Sequence, residues 1–127
     1  MDIVVSSVPA GSQSLGFLRA EWLKEGAFAA LVDLGRSWRD RGFEDIEHRV
    51  VDDRAQAKKG SKTRKLTPSG PYSLDLAELV AKSDSVKHTP RERAIFVFQG
   101  LALADLAAAA LVFDRGVEEK VGTLLPP

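Results

Sequence analysis

The fold class is decided by one stretch of sequence, Ala94-Ile95-Phe96-Val97-Phe98-Gln99-Gly100. Its first five residues are apolar and rich in aromatic and β-branched side chains, which is typical of a buried strand. Gln99 and Gly100 then introduce an almost entirely apolar segment, 101–115, that predicts a helix. Because this helix is apolar on nearly every side, we expect it to be buried on most sides and to be capped by Gly116.

Three shorter apolar runs upstream predict further strands of the same sheet, at residues 3–5, 28–32 and 49–51. A short helical segment is predicted at 54–59 and an amphipathic helix at 74–82. Continuous apolar strands without alternation are what a sheet covered on both faces needs. The sequence therefore predicts an α/β fold with a Rossmann-like open, mostly parallel sheet and flanking helices.

The composition is that of an ordinary folded domain, with 127 residues, 44% of them hydrophobic and 28% charged. Basic and acidic residues balance at 18 each, which gives no bulk attraction to nucleic acid or membrane lipid. The sequence has no cysteine, and its two histidines lie far apart, so no metal site is predicted. The start of the chain lacks a secretory signal pattern, and the expected compartment is cytoplasmic.

Polar residues follow every predicted strand. In a parallel sheet the carboxyl ends of the strands share one edge, which is where open α/β sheets bind ligands. Backbone N–H groups at the start of the last helix would favour an anion at the same edge. Taken singly, each residue has turn formation or helix capping as an alternative role. As a set they predict cofactor contacts from Ser6, Ser7, Asp33, Gln99 and Gly100.

The usual pyrophosphate-binding turn of dinucleotide-binding folds, Gly-x-Gly-x-x-Gly, does not occur in the sequence. The sequence also opens directly on a strand, with no preceding βαβ unit. We therefore expect residues 1–127 to form a partial dinucleotide-binding domain, namely its second half, so that the predicted fold is incomplete.

Several segments follow one family's pattern in order and spacing: 2–9, 21–27, 32–38 and, most clearly, 96–107. The last segment is similar to a Phe-x-x-x-Gly-x-Ala-x-x-Asp-Leu-Ala strand-to-helix element. With these segments the chain resembles the ornithine cyclodeaminase/mu-crystallin family. The resemblance implies a homodimer that binds NAD or NADP and transfers hydride at an amine or imine carbon of a small amino acid or imine substrate.

The family resemblance also sets expectations for activity. It implies a deaminating ornithine cyclodeaminase (an ammonia-lyase), an imine reductase or an amino-acid dehydrogenase, with the isolated chain inactive. Residues 117–127 would lead as a tail toward the absent substrate and dimerisation domain, and a separate N-terminal half is the candidate partner. Gly35 occupies the position of the cyclodeaminases' catalytic Asp. Asp33, two residues earlier, is the candidate substitute, with a turn or cap carboxylate as its alternative role.

A basic segment supports an alternative function. The loop at 54–65 carries no acidic residue and six basic ones, namely Arg54, Lys58, Lys59, Lys62, Arg64 and Lys65. An interaction or binding module could use this loop as its contact surface. A solvated surface loop is the simpler interpretation, because Tyr72 is the only aromatic residue nearby and there is no platform on which bases could stack.

Overall fold

The chain folds around a five-stranded parallel sheet. The structure is a computed structural model that describes residues 2–9, 16–60, 67–83, 86–87, 89–123 and 125. The strands are β1 (Ile3–Ser6), β2 (Phe28–Leu31), β3 (His48–Val51), β4 (Leu74–Asp75) and β5 (Ala94–Val97). The helices are α1 (Arg54–Gly60), α2 (Leu76–Ala81) and α3 (Ala102–Glu118), and 3-10 turns lie at Ala20–Trp22 and Phe43–Asp45.

The strand order across the sheet is β1-β2-β5-β3-β4, and every pairing is parallel. The last strand in the chain, β5, therefore lies in the middle of the sheet, between β2 and β3. All five carboxyl ends point to one edge. This arrangement confirms the predicted α/β class with an open parallel sheet.

The core lies on one face of the sheet. Burial alternates along β2 and β5, so that Leu31 of β2 and Ile95 and Val97 of β5 are fully buried, whereas the residue before each of them is half-buried. Trp38 and Phe43 pack over this face from the loop that follows β2, with ring centroids 5.8 Å apart. Alternation of this kind places every second side chain in the core.

Strand β1 forms an open edge of the sheet. It pairs with β2 on one side, and no described strand pairs with its other side. Val4 and Ser6 face the core, whereas Ile3 and Val5 are 71% and 65% exposed on the opposite face. An apolar edge strand of this kind is available for pairing with another strand.

The segment predicted as one helix at 74–82 divides into a short strand and a helix. Leu74 and Asp75 pair with the end of β3, and helix α2 begins only at Leu76. Asp75 ends the strand because its carboxylate accepts the backbone N–H of Glu78, whose own carboxylate accepts the N–H of Asp75. This reciprocal capping box fixes where the helix begins.

Helix α3 is exposed along its whole length, so the expectation that it is buried on most sides is wrong for this chain. None of its residues is buried, because no element among the described residues packs along it. The predicted cap at Gly116 is also wrong, since the helix continues to Glu118. Lys120 takes the left-handed backbone conformation instead, with φ at 55°, and the N–H of Val121 returns to the carbonyl of Gly116 at 2.9 Å. None of the described helices is long and apolar enough to cross a membrane.

Candidate functional site

Two hydrogen-bonded clusters lie at the carboxyl edge of the sheet, where the sequence predicts ligand contacts. One joins the ends of β1 and β2, and we call it the Asp33 cluster: Ser6, Asp33, Gly35, Ser37 and Trp38. The other joins the ends of β3 and β5, and we call it the Asp52 cluster: Asp52, Asp53, Gln99 and Gly100. The polar residues that follow the strands lie on one edge of the sheet, as the sequence predicts.

The carboxylate of Asp33 is the centre of the first cluster and is only 7% exposed. Its Oδ1 accepts the Ser6 hydroxyl and the Gly35 N–H, each at 3.1 Å. Its Oδ2 accepts the N–H groups of Val8 and Ser37 at 3.3 Å and also the Ser37 hydroxyl. Both oxygens are thus engaged by donors from the surrounding turns, which is the geometry of a turn-forming carboxylate.

Ser6 ties this cluster to the end of strand β1. Its Oγ, besides donating to Asp33, accepts the indole N–H of Trp38 at 3.0 Å, and the residue is 6% exposed. The next residue, Ser7, is exposed at the edge of the sheet. Ser6 therefore holds the edge together, whereas the Ser7 side chain is open to solvent there.

Position 35 has no room for a side chain. Gly35 adopts a positive φ of 71°, and a Cβ there would lie 1.8 Å from the carbonyl oxygen of Thr67. The Thr67 N–H in turn donates to the carbonyl of Leu34 at 3.1 Å, which holds the two segments together. An aspartate at this position would meet backbone rather than an open site, and the glycine is explained by that close approach.

Asp52 is the buried acceptor of the second cluster, with 3% of its surface exposed. Its Oδ2 accepts the backbone N–H groups of Gln99 and Gly100 at 2.8 and 2.9 Å. Its Oδ1 accepts the Gln99 side-chain amide at 2.8 Å and the Asp53 N–H at 3.1 Å. The N–H groups that the sequence offers to an anion are therefore bonded to a carboxylate of the protein itself.

This cluster also sets the start of helix α3. Gly100 has a positive φ of 96°, and its carbonyl accepts the side-chain amide of Gln56 at 3.1 Å. Asp52 directly follows the predicted strand at 49–51, but the sequence alone does not identify it as the partner of Gln99. The missing information was the position of β5 beside β3, which local sequence does not encode.

The basic segment is described only in part. Arg54, Lys58 and Lys59 lie on helix α1, whereas Lys62, Arg64 and Lys65 fall outside the described residues. The Arg54 guanidinium pairs with the carboxylates of Asp75 and Glu78, so its charge is already balanced within the chain. The described part of this segment thus contributes less free positive charge than the sequence suggests.

The ionisation of Tyr72, which lies next to this segment, reports how far its phenol is buried. Its hydroxyl donates to the carbonyl of Pro68, and burial, followed by the nearby carboxylates of Asp40 and Asp52, raises the pKa of the phenol well above its ordinary value. A raised pKa in the folded state leaves stability unaffected below the unfolded pKa of about 10 and lowers it as the pH rises further.

We therefore expect a near-ultraviolet pH titration of this single tyrosine to show phenolate only well above the pH at which free tyrosine ionises. At alkaline pH the free energy of unfolding should fall less steeply in Tyr72→Phe than in the unsubstituted protein. Ionisation of the native protein at the ordinary pH of free tyrosine would contradict this description of its surroundings.

Comparison with known proteins shows what the chain is similar to. No protein-family model matches it. Alanine dehydrogenase from Archaeoglobus fulgidus is 25% identical over 130 residues, covering 96% of this chain and 39% of the relative. A solved dimer of an archaeal alanine dehydrogenase with bound NAD superimposes with a TM-score of 0.68 and 24% identity, over 98% of this chain and 41% of that one.

Two further solved structures share the fold. Δ1-Pyrroline-2-carboxylate reductase from Thermococcus litoralis, in complex with NADH and L-proline, has a TM-score of 0.68 and 20% identity over 97% of this chain and 39% of that one. CmnK has a TM-score of 0.72 and 16% identity over 98% of this chain and 38% of that one.

The chain spans about two fifths of the length of these proteins. Its sheet matches the C-terminal part of their dehydrogenase-like fold. The alanine dehydrogenase and the pyrroline-carboxylate reductase are members of the ornithine cyclodeaminase/mu-crystallin superfamily. The chain is therefore similar in sequence to an alanine dehydrogenase and shares the fold of the three solved structures.

Proposed function

We propose that this chain is the C-terminal part of an NAD- or NADP-linked oxidoreductase that acts on a small amino acid or its imine. The observation that carries the proposal is the similarity to an alanine dehydrogenase over 96% of the chain. Hydride transfer at the carbon that bears the nitrogen is the chemistry this implies. The activity would belong to a protein that also supplies a pyrophosphate-binding turn, which this sequence lacks.

The residues at the sheet edge fit part of a dinucleotide site. Dinucleotide-binding folds consist of two mononucleotide-binding halves, and the cofactor lies across the crevice between them. Strands β1 and β4 are the two edges of this sheet, and we infer that a second half pairs with β1, the first strand in the chain, which would bring the crevice next to Ser7. We assign cofactor contact to Ser7 and support of the edge to Ser6, Asp33, Gln99 and Gly100.

Dehydrogenation or imine reduction is a better fit than cyclodeamination. A cyclodeaminase needs a base within hydrogen-bond reach of the substrate amine. Both oxygens of Asp33 are already bonded within the chain, and Gly35 faces the backbone of Thr67. We therefore assign Asp33 a positioning role and place the groups that exchange protons with the substrate in the other half of the site.

The proposal is tested by completing the fold. This chain is fused to the part of the Archaeoglobus fulgidus alanine dehydrogenase that precedes the matched segment, and NADH oxidation is followed with pyruvate plus ammonium and with Δ1-pyrroline-2-carboxylate. We expect turnover of at least one of these substrate sets and little conversion of ornithine to proline. Fast ornithine conversion without reduction of either substrate set would contradict the proposed chemistry.

Ser7 offers a sharper variant of this test. Loss of one hydrogen bond costs about 1 kcal/mol, so Ser7→Ala should raise the KM for NADH by about fivefold in the fusion. Ser73→Ala is the matched control, because Ser73 is also an exposed serine but lies beside β3, where it bonds the Arg49 carbonyl. Equal effects of the two variants would remove Ser7 from the proposed cofactor edge.

A further inference from the structure

The turn that follows strand β2 holds a cation without a counter-charge. Arg36 lies in this turn at the carboxyl edge of the sheet, and the residue is half-buried there. Among the described residues, its guanidinium makes no ion pair and no hydrogen bond. The two other arginines of the same loop, Arg39 and Arg41, are exposed to solvent. Because a partly desolvated charge is costly unless an opposite charge meets it, Arg36 is the arginine of this loop most suited to a ligand.

The backbone on either side of Arg36 is held by one carboxylate. Oδ1 of Asp33 accepts the Gly35 N–H at 3.1 Å, and Oδ2 accepts the Ser37 N–H at 3.3 Å. The N–H of Arg36 itself donates to the carbonyl of Asp33 at 3.2 Å, which closes the turn. A binding residue on a backbone that is already fixed loses little conformational freedom when its ligand binds. Asp33 therefore positions Arg36 as well as the edge of the sheet.

The same turn contains a strained residue. Leu34 adopts the left-handed backbone conformation, with φ at 63°. This conformation is unfavourable for any residue with a Cβ, and it persists only where the surrounding contacts hold it. Here the carbonyl of Leu34 accepts the Thr67 N–H at 3.1 Å, and Asp33 holds the residues that follow. Strain of this kind clusters at ligand-binding and active sites, so it points to the same turn as the charge of Arg36 does.

The charges at the carboxyl edge favour an anion as the ligand. The two buried carboxylates there, Asp33 and Asp52, accept hydrogen bonds from donors of this chain on both oxygens, so neither is open to an amine. Arg54, which also follows a strand at this edge, is paired with two carboxylates. Among the described residues that directly follow the strands, Arg36 is thus the cation without a counter-charge.

We propose that Arg36 binds a carboxylate of the substrate and thereby determines substrate specificity, an inference that rests on the proposed function. In dinucleotide-binding folds the half with the Gly-rich turn holds the pyrophosphate and one ribose. The edge of the second half is left for the reactive end of the cofactor and for the substrate. Every substrate of the proposed class carries a carboxylate, and a guanidinium can bind one with two parallel hydrogen bonds. That carboxylate is either the one next to the reacting carbon or one on the substrate's side chain.

The kinetics of the fusion provide the first test, with ammonium and two 2-oxo acids of equal carbon number, 2-oxopentanoate and 2-oxoglutarate. Loss of charge-assisted hydrogen bonds lowers affinity about tenfold to a hundredfold, so Arg36→Gln should raise the KM for a 2-oxo acid by that factor and leave the KM for NADH unchanged. A rise for both acids assigns Arg36 to the carboxylate next to the reacting carbon, and a rise for 2-oxoglutarate alone assigns it to a side-chain carboxylate. Arg36→Lys should recover part of the affinity, because it keeps the charge. Arg41→Gln is the matched control and should change neither KM. An unchanged KM for both acids, or a rise for NADH alone, would overturn the proposal.

Chemical modification provides a second test that needs no turnover. Phenylglyoxal modifies arginine side chains, and peptide mass spectrometry measures the rate at each arginine of the unsubstituted fusion. In the presence of NADH, 2-oxoglutarate at about ten times its Kd should slow the modification of Arg36 about tenfold and leave the rate at Arg41 unchanged. Protection in a fusion without turnover would support this role of Arg36 and contradict the proposed function. Absence of protection by both 2-oxo acids, or protection by NADH alone, would overturn the role of Arg36 whether or not the fusion turns over substrate.

Discussion

Gly35→Ala is expected to lower the free energy of unfolding by about 2–5 kcal/mol, since a left-handed backbone costs a non-glycine residue about 1–2 kcal/mol and overpacking adds about 1–3. Gly35 has a φ of 71°, and the added methyl group would lie 1.8 Å from the carbonyl oxygen of Thr67. The turn after β2 and the segment at Thr67 cannot both keep their positions. Urea denaturation followed by circular dichroism measures the loss.

Gly100→Ala is the control for this substitution. Gly100 also has a positive φ, 96°, but a Cβ there would meet nothing within 4 Å. It should therefore incur only the backbone cost of about 1–2 kcal/mol. Equal losses for the two variants would show that contact with Thr67 is not what requires glycine at position 35. Gly35→Asp is expected to destabilise at least as much as Gly35→Ala, so it should not restore a catalytic carboxylate.

Asp33→Ala is expected to lower the free energy of unfolding by about 3–5 kcal/mol, because it leaves several buried donors without an acceptor. The donors include the hydroxyls of Ser6 and Ser37 and the N–H of Gly35. Asp33→Asn should cost less, since it keeps one oxygen acceptor. The loss of unfolding free energy should be the same in the chain alone and in the fusion, because the hydrogen bonds lie within this chain.

Asp40→Ala provides the matched comparison for Asp33. Asp40 is an exposed aspartate in the same loop and accepts one backbone N–H, from Ser69 at 3.3 Å. Its replacement should cost under about 1 kcal/mol, as exposed polar contacts usually do. If Asp33→Ala were as mild as Asp40→Ala and yet abolished turnover of the fusion, the carboxylate would have a catalytic rather than a positioning role.

Four of the five strands were predictable because each contains a short apolar run, whereas the order of the strands across the sheet was not predictable. Residues 94–98 indicate a buried strand, and β5 lies in the middle of the sheet. Nothing in that run specifies that it lies between β2 and β3, because lateral order depends on contacts between distant segments. The position of β4 was missed for the same reason, since only pairing with β3 makes Leu74 and Asp75 a strand.

The candidate site was predictable as a location but not as a set of bonds. Parallel topology brings Asp33 next to Ser6 and Asp52 next to Gln99, as the polar strand ends indicate. The sequence could not show that these side chains satisfy one another. For α3, apolar composition predicts burial on most sides, whereas the helix is exposed, because composition does not specify which segment packs against it.

NADH titration by calorimetry tests the central claim most directly, with this chain alone and with the fusion that supplies the Gly-rich turn. The turn and the helix that follows it bind the pyrophosphate in dinucleotide-binding folds. We expect no heat of binding from the chain alone at micromolar concentrations and saturable binding to the fusion. Tight, saturable binding by the chain alone, or no binding by a folded fusion, would contradict its assignment as the second half of a dinucleotide-binding domain.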